Sequence, residues 1–216
     1  MTTLAINTAS KKTSVALLAD NNVLWEDSWE SKNDEAEKLM PALKDVKFKD
    51  LERIIVIRGP GSFTGLRVGV AVANAIAYLQ NIPIFGVDTM DFLRVGRADP
   101  VAKPSAEINT ALVLFAGKSE IFIQFKEGEP PTLAKIDEAS ELLKDGKIEK
   151  IFGELLPEQK LALKDFEFIE SKLTFGETIL RLESLEPENL KESKIVEPLY
   201  IKGPGISMPK PINPTK

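Results

Sequence analysis

The residues with the most chemical potential lie in one stretch, Arg58-Gly59-Pro60-Gly61-Ser62-Phe63-Thr64-Gly65. Glycines let a ligand approach the backbone with no Cβ in the way, and N–H groups at a helix start carry partial positive charge. Gly59, Gly61, Ser62 and Gly65 are therefore a candidate phosphate-facing turn. The same residues serve equally well as a glycine-built turn that packs a helix close to a sheet. The loop has no P-loop lysine, and its glycine spacing is not that of a dinucleotide fingerprint. The chain contains no histidine and no cysteine. That removes Ser/His/Asp and Cys/His hydrolysis, imidazole and thiolate metal sites, and disulfides. Carboxylate, lysine or backbone chemistry remains, and the sequence assigns no catalytic residue, no metal site and no cofactor.

The elements that position this turn are legible from periodicity. A β-branched run at 54–57 precedes it, and a helix over 65–80 follows. At 3.6 residues per turn the helix carries two apolar stripes. Leu66, Val70, Ala73 and Ala77 form one, and Val68, Val72, Ala75 and Leu79 the other; Arg67, Asn74 and Tyr78 form a narrow polar seam. One stripe can cover the chain's own sheet, so the other needs a cover from elsewhere. The reading favours the second stripe, flanked by Met40 on the preceding helix, as a partner interface: Met40, Val68, Val72, Ala75 and Leu79.

The chain has 216 residues, 43% hydrophobic and 28% charged, with a net charge of −5. This is ordinary for a globular protein and argues against one that holds nucleic acid alone. Strands are predicted at 3–8, 13–18 and 23–29, and a helix at 35–43 capped by Asp34 with Glu37 and bent at Pro41. After the strand at 54–57 and the second helix come a strand at 84–87 and a short helix at 89–95. The order βββαβαβα makes 1–95 one α/β lobe. Gly96, Pro100 and Pro104 mark 96–106 as a linker. The second lobe, 107–200, repeats the order in reduced form: a hairpin around Gly117-Lys118, a helix at 136–143, strands at 148–152 and 166–169, and a helix at 174–185. Pro198-Leu199-Tyr200-Ile201 is expected to dock as a strand, and 201–216 to be a mobile, proline-rich tail. The apolar start at 4–6 is too short for a signal peptide or a membrane span, so a cytoplasmic location is expected.

Taken together, the stretches 4–9, 13–17, Glu37-Lys38-Leu39-Met40-Pro41, 59–69, 83–87 and 198–201 make the sequence resemble the bacterial TsaB (YeaZ) family. The resemblance implies the actin-like ATPase superfold and a part in forming threonylcarbamoyl-adenosine on tRNA. The first 95 residues carry most of it; the second lobe matches mainly at its terminal Pro-Leu-Tyr. In the sister family of catalytic TsaD subunits, two histidines bind metal, and here Thr89 and Leu93 align with them. Asp88 and Asp91 are the nearest acids, and acids at a helix start equally complement its dipole. The first strand carries Asn7 where actin-like ATPases usually have an acid. Its Ser10-Lys11-Lys12 turn lacks glycine, although its two lysines offer phosphate a positive charge. A histidine usual in TsaB aligns with Glu35, and its Asp-Ala-Arg aligns with Phe115-Ala116-Gly117.

Two functions follow. The resemblance implies a non-catalytic partner of a TsaD-type catalytic subunit, as a heterodimer joined by a TsaE-type ATPase, with tRNA met only through the complex and a homodimer available when alone. The alternative is a nucleotide-dependent, kinase-like enzyme of the same superfold acting on a small molecule, with the glycine turn on phosphate. A peptidase label attached to the superfamily finds no set of nucleophile, base and metal here.

Overall fold

The computed structural model describes residues 1–32, 34–97 and 109–201. The expected linker lies outside those residues from position 98 onward, and the expected tail from position 202.

Three strands open the chain as an antiparallel meander: β1 (Thr2–Asn7), β2 (Lys12–Ala19) and β3 (Asn22–Glu30). Asp20 and Asn21 both take positive φ at the second turn, as a tight hairpin between right-twisted strands requires. β4 (Arg53–Gly59) then runs parallel to β1, with Leu4 opposite Ile54, and β5 (Ile84–Asp88) runs parallel to β4. The unbroken run Ile54-Ile55-Val56-Ile57 is wholly buried because both faces of this central strand are covered.

One face packs against α1 (Glu35–Ala42) and α2 (Phe63–Gln80) through Leu4, Ile6, Val15, Leu39, Ile54, Val56, Val70 and Ala73. Asp34 stands at the start of α1 but makes no side-chain cap, contrary to expectation. Its carboxylate instead meets Lys38 at 2.7 Å and accepts from the Lys32 N–H. Pro41 sits in the last turn of α1.

The other face packs against α3 (Thr89–Gly96) and α6 (Phe175–Leu185). That core does not stop at the first sheet. Ala5, Ile55, Ile57, Leu93, Ile179 and Leu182 belong to the same buried cluster as Leu112, Leu114 and Phe152 of the second sheet.

The second sheet has the order β10-β9-β6-β7-β8. It comprises β6 (Thr110–Phe115), β7 (Glu120–Gln124), β8 (Thr132–Lys135), β9 (Lys150–Glu154) and β10 (Glu167–Ile169), with α4 (Ile136–Asp145) and α5 (Pro157–Ala162). Two mixed sheets with helices form the two-lobed, actin-like α/β arrangement that the resemblance implies.

The last part of the chain returns to the first sheet. α6 lies against β2, β3 and α3, and β11 (Lys191–Ser193) pairs antiparallel with β5 as a sixth strand. The expected strand at 198–201 does not form. Leu199 docks by a single backbone bond to the Arg58 carbonyl, 2.7 Å, and ladder pairing stops at Ser193.

Candidate functional site

The glycine turn uses its glycines for packing. A Cβ on Gly61 would sit 2.2 Å from the Ala9 carbonyl oxygen, and one on Gly65 would sit 2.1 Å from that of Thr8. No real side chain tolerates such distances, so α2 approaches the β1–β2 turn only through glycine. Gly59 alone of the three takes positive φ, +120°, with Leu199 lying against it. Two of the local N–H groups are already bonded: Ser62 N donates to Ala9 O at 2.7 Å, and Gly65 N donates to Ser62 Oγ at 3.2 Å. The second bond is the helix cap of α2, a role the sequence reading did not give Ser62. The turn therefore brings Gly59, Gly61, Ser62 and Gly65 together, with part of their hydrogen-bonding capacity spent on the chain itself.

On α2, the stripe of Leu66, Val70, Ala73 and Ala77 is buried against the sheet. The other stripe is graded. Val68 and Val72 are half-buried at the edge of the core, while Ala75 is exposed and Leu79 is 74% exposed. Met40 on the neighbouring α1 is 46% exposed, and Tyr78, placed in the polar seam by its hydroxyl, is 86% exposed. The outer face of α1 and α2 thus carries apolar side chains without a cover among the described residues.

The polar seam of α2 is held by the end of the chain. Asn74 pairs with the backbone of Val196 in both directions, Nδ2 to O at 2.8 Å and Oδ1 from N at 2.9 Å. Two turns earlier, the Arg67 guanidinium lies 3.9 Å from the Phe63 ring centroid and donates to the Tyr200 hydroxyl at 3.2 Å. Phe63 and Tyr200 also pack ring to ring at 5.0 Å. Periodicity marked Asn74 and Arg67 as polar but gave no sign of what they hold.

The two acids considered for a cation are taken. Asp88 accepts from Arg58 Nε at 2.6 Å, and Asp91 from Arg94 Nη2 at 2.9 Å. Burial, with Asp88 and Glu186 nearby, pushes the Asp91 carboxyl up against the pull of Arg94. Two guanidinium groups beside two carboxylates leave little net charge for a divalent ion. Among the described residues no group of three acids is placed to hold a metal.

Between the lobes lies a cleft of about 450 Å³, lined by Asn7, Lys12, Ser14, Glu26, Glu154 and Lys160 among others. Asn7 accepts from Ala9 N at 2.9 Å and donates to Ser10 Oγ at 3.1 Å. It therefore shapes the β1–β2 turn instead of offering an acid to the cleft. Glu26 reaches across to accept from Gly176 N, 2.9 Å, in the first turn of α6. Glu154 was not singled out by sequence, where it is one acid at the end of a strand; burial pushes its carboxyl up, against the pull of Ser10, Lys11, Lys12 and Lys160.

Comparison with known proteins gives this geometry a context. Residues 33–175 match the family model described as TsaD, tRNA N6-adenosine threonylcarbamoyltransferase. The chain is 36% identical over 99 residues to the tRNA threonylcarbamoyladenosine biosynthesis protein TsaB of Bacillus subtilis, covering 43% of each chain. It is 33% identical over 96 residues to the TsaB protein of Escherichia coli, covering 42% of this chain and 41% of that one. The matches thus span less than half the length of these curated relatives. The solved YeaZ structure from Pseudomonas aeruginosa superposes with a TM-score of 0.64 over 93% of this chain and 99% of that one, at 19% identity, which is a likeness of fold. A second solved structure, of an uncharacterized Pseudomonas aeruginosa protein with similarity to peptidase YEAZ, gives 0.65 over the same shares. The family model covers most of the chain, the relatives are TsaB proteins and the fold is that of YeaZ: the chain belongs to the TsaD-type family, in its TsaB (YeaZ) branch.

Proposed function

We propose that this chain serves tRNA threonylcarbamoyladenosine biosynthesis as a non-catalytic partner of a TsaD-type subunit, which it meets through the outer face of α1 and α2. The observation that carries the reading is the uncovered apolar surface there, with Leu79 74% and Tyr78 86% exposed on a helix whose opposite side is core. A contiguous apolar patch on a folded chain marks an interface. Ala71 and Ala75 lie exposed on α2, about two turns and one turn before Leu79, and leave room for a partner helix to come close. Met40, Val72, Ala75 and Leu79 are the proposed contacts, with Val68 supporting them from the core edge.

The kinase-like alternative needs an acid or base near a bound phosphate. Asn7 is neutral and spends both ends of its amide on the β1–β2 turn, and the glycine turn is occupied with packing. A TsaE-type ATPase, tRNA bound through the complex, and a homodimer in the absence of a partner belong to the same proposal. No helix among the described residues is long and apolar enough to cross a membrane.

Ala75→Glu tests the reading. Ala75 is exposed, so the variant keeps its melting temperature within about 0.5 kcal/mol of equivalent stability. A charge in the middle of an interface of roughly 1,600 Å² leaves an uncompensated buried carboxylate. Co-expression with the TsaD homologue of the same genome, followed by size exclusion and a threonylcarbamoyladenosine assay, is expected to show lost association and lost product. A folded variant that still associates and supports the reaction sinks the proposal.

A further inference from the structure

The chain's return to the first sheet builds a cavity of about 270 Å³ outside the partner surface, where β4, β5 and β11 meet the start of α3. Gly86 of β5 shapes it: a Cβ there would sit 2.9 Å from Val196 Cγ1 and 3.0 Å from Arg58 Cδ, so only glycine lets both lie over the strand. Lys191 stands directly across the sheet from Gly86. Asp88 and Asp91 follow where β5 passes into α3. Val196 is fixed by its two backbone bonds to Asn74, and Leu199 by its bond to the Arg58 carbonyl, so backbone contacts hold this wall in place. The charged side chains of the lining are only partly engaged. Arg58 Nε donates to Asp88 Oδ1 at 2.6 Å and Asp91 Oδ1 accepts from Arg94 Nη2 at 2.9 Å, while the Arg58 Nη groups and the second oxygen of each acid bond to no other described residue. Lys191 and Glu197 are exposed, and their side chains make no ion pair or hydrogen bond with a described residue.

We propose that this cavity binds a small α-amino acid in its zwitterionic form, with the carboxylate on Lys191 and the Arg58 Nη groups and the ammonium on Asp91 and Glu197. The charge set carries the inference. A bare anion meets the carboxylates of Asp88, Asp91 and Glu197, and a bare cation meets Lys191 and Arg58, so each is repelled by part of the lining. A ligand with both charges makes partners of both sets through charge-assisted hydrogen bonds. The spacing suits it. Gly86, opposite Lys191, stands two residues before Asp88, about 7 Å along a strand, a gap that a carboxylate and an ammonium on one carbon can bridge. The volume keeps the ligand small, and Ile195 with Val196 offers an apolar wall to a short aliphatic side chain. None of the lining residues belongs to α1 or α2, so the proposal stands apart from the partner surface.

The test is a titration of the full chain with glycine, L-alanine and L-serine, followed by calorimetry and by the amide chemical shifts of Gly86, Asp88 and Ser193. Expected is saturable binding with shifts confined to the cavity. Acetate, which has only the carboxylate, and methylamine, which has only the ammonium, should each bind about tenfold more weakly or worse, since each loses the charged hydrogen bonds of one end. Lys191→Met, at an exposed position, should weaken amino-acid binding by about tenfold or more. Asp91→Asn should do the same from the other end. Because Asp91 also meets Arg94, Glu197→Gln at an exposed position stands beside it should that variant fold poorly. No saturable response to any of the three amino acids overturns the proposal, as does acetate binding as tightly as L-alanine. So do a Lys191→Met variant that binds like wild type, folded acid variants that both do, or shifts that map away from the cavity.

Discussion

Thr8 and Ala9 decide what the glycine turn is for. Their carbonyl oxygens occupy the space where side chains on Gly65 and Gly61 would go, at 2.1 and 2.2 Å. From sequence alone, these glycines could serve either a phosphate or a close backbone approach, because both need a missing Cβ. Periodicity cannot choose, since it does not say what lies across the turn. The distances choose close approach for Gly61 and Gly65, without the positive φ found at Gly59. Gly65→Ala must therefore push α2 away from the β1–β2 turn, at a cost of roughly 1–3 kcal/mol for overpacking. Chemical denaturation should show this as a lower midpoint with an unchanged slope. Unchanged stability would mean that the approach relaxes freely and that the glycine is kept for another purpose. Glu154 escaped sequence reading for a related reason: a lone acid at a strand end carries no signal until the other lobe is placed against it.

Elements with strong periodicity were readable, and the elements missed are those with none. The opening meander, α2 and β5 follow from β-branched runs and a helical stripe. β8, α5 and β11 were not foreseen. β8 follows Pro130-Pro131 and is four residues long at a sheet edge, and α5 is a six-residue helix begun by Pro157. β11 is Lys-Glu-Ser, polar and three residues long, and forms only because β5 presents an open edge. The segment after β11 is likewise set by tertiary contacts. Val196 is buried, and both its backbone groups are satisfied by Asn74. Asn74→Ala leaves a buried N–H and C=O without partners, a loss of about 1–3 kcal/mol local to this segment. Hydrogen exchange of the Val196 amide should accelerate sharply while amides in β1 and β4 keep their protection. Equal acceleration everywhere would show instead that the segment is part of the global folding unit.

At the scale of the whole molecule, a buried cluster runs through both lobes and a buried cation bridges them. The cluster runs from Ala5 and Ile57 through Leu93 to Leu114 and Phe152, so the two sheets share a core that neither completes alone. The cation is Arg94, 7% exposed, on α3. It donates to Glu186 at 2.7 Å just past α6 and to Asp91 at 2.9 Å on its own helix, and it stands 3.6 Å from Glu127 in the second lobe. Asn189 also donates to Glu186, at 2.6 Å, but it brings no charge. A single arginine thus answers two largely buried acids, and Arg94→Met would leave them facing each other. Removing one member of a buried ion network typically costs 3–5 kcal/mol, most of it the burden of the charge left behind. The sign of the pH dependence follows from Asp91, whose folded carboxyl already lies above its ordinary value of 3.8. A raised folded value means the native state binds the proton more tightly than the unfolded chain does, so this acid weakens the fold at neutral pH and less so as pH falls through that raised value. Losing Arg94 raises it further. The destabilisation by Arg94→Met is therefore expected to be largest near neutral pH and to shrink on mild acidification, when measured as the difference in unfolding free energy from wild type at each pH. A difference that stays constant with pH would show that Arg94 acts through packing of its aliphatic stem, and that the acids around it are satisfied by water.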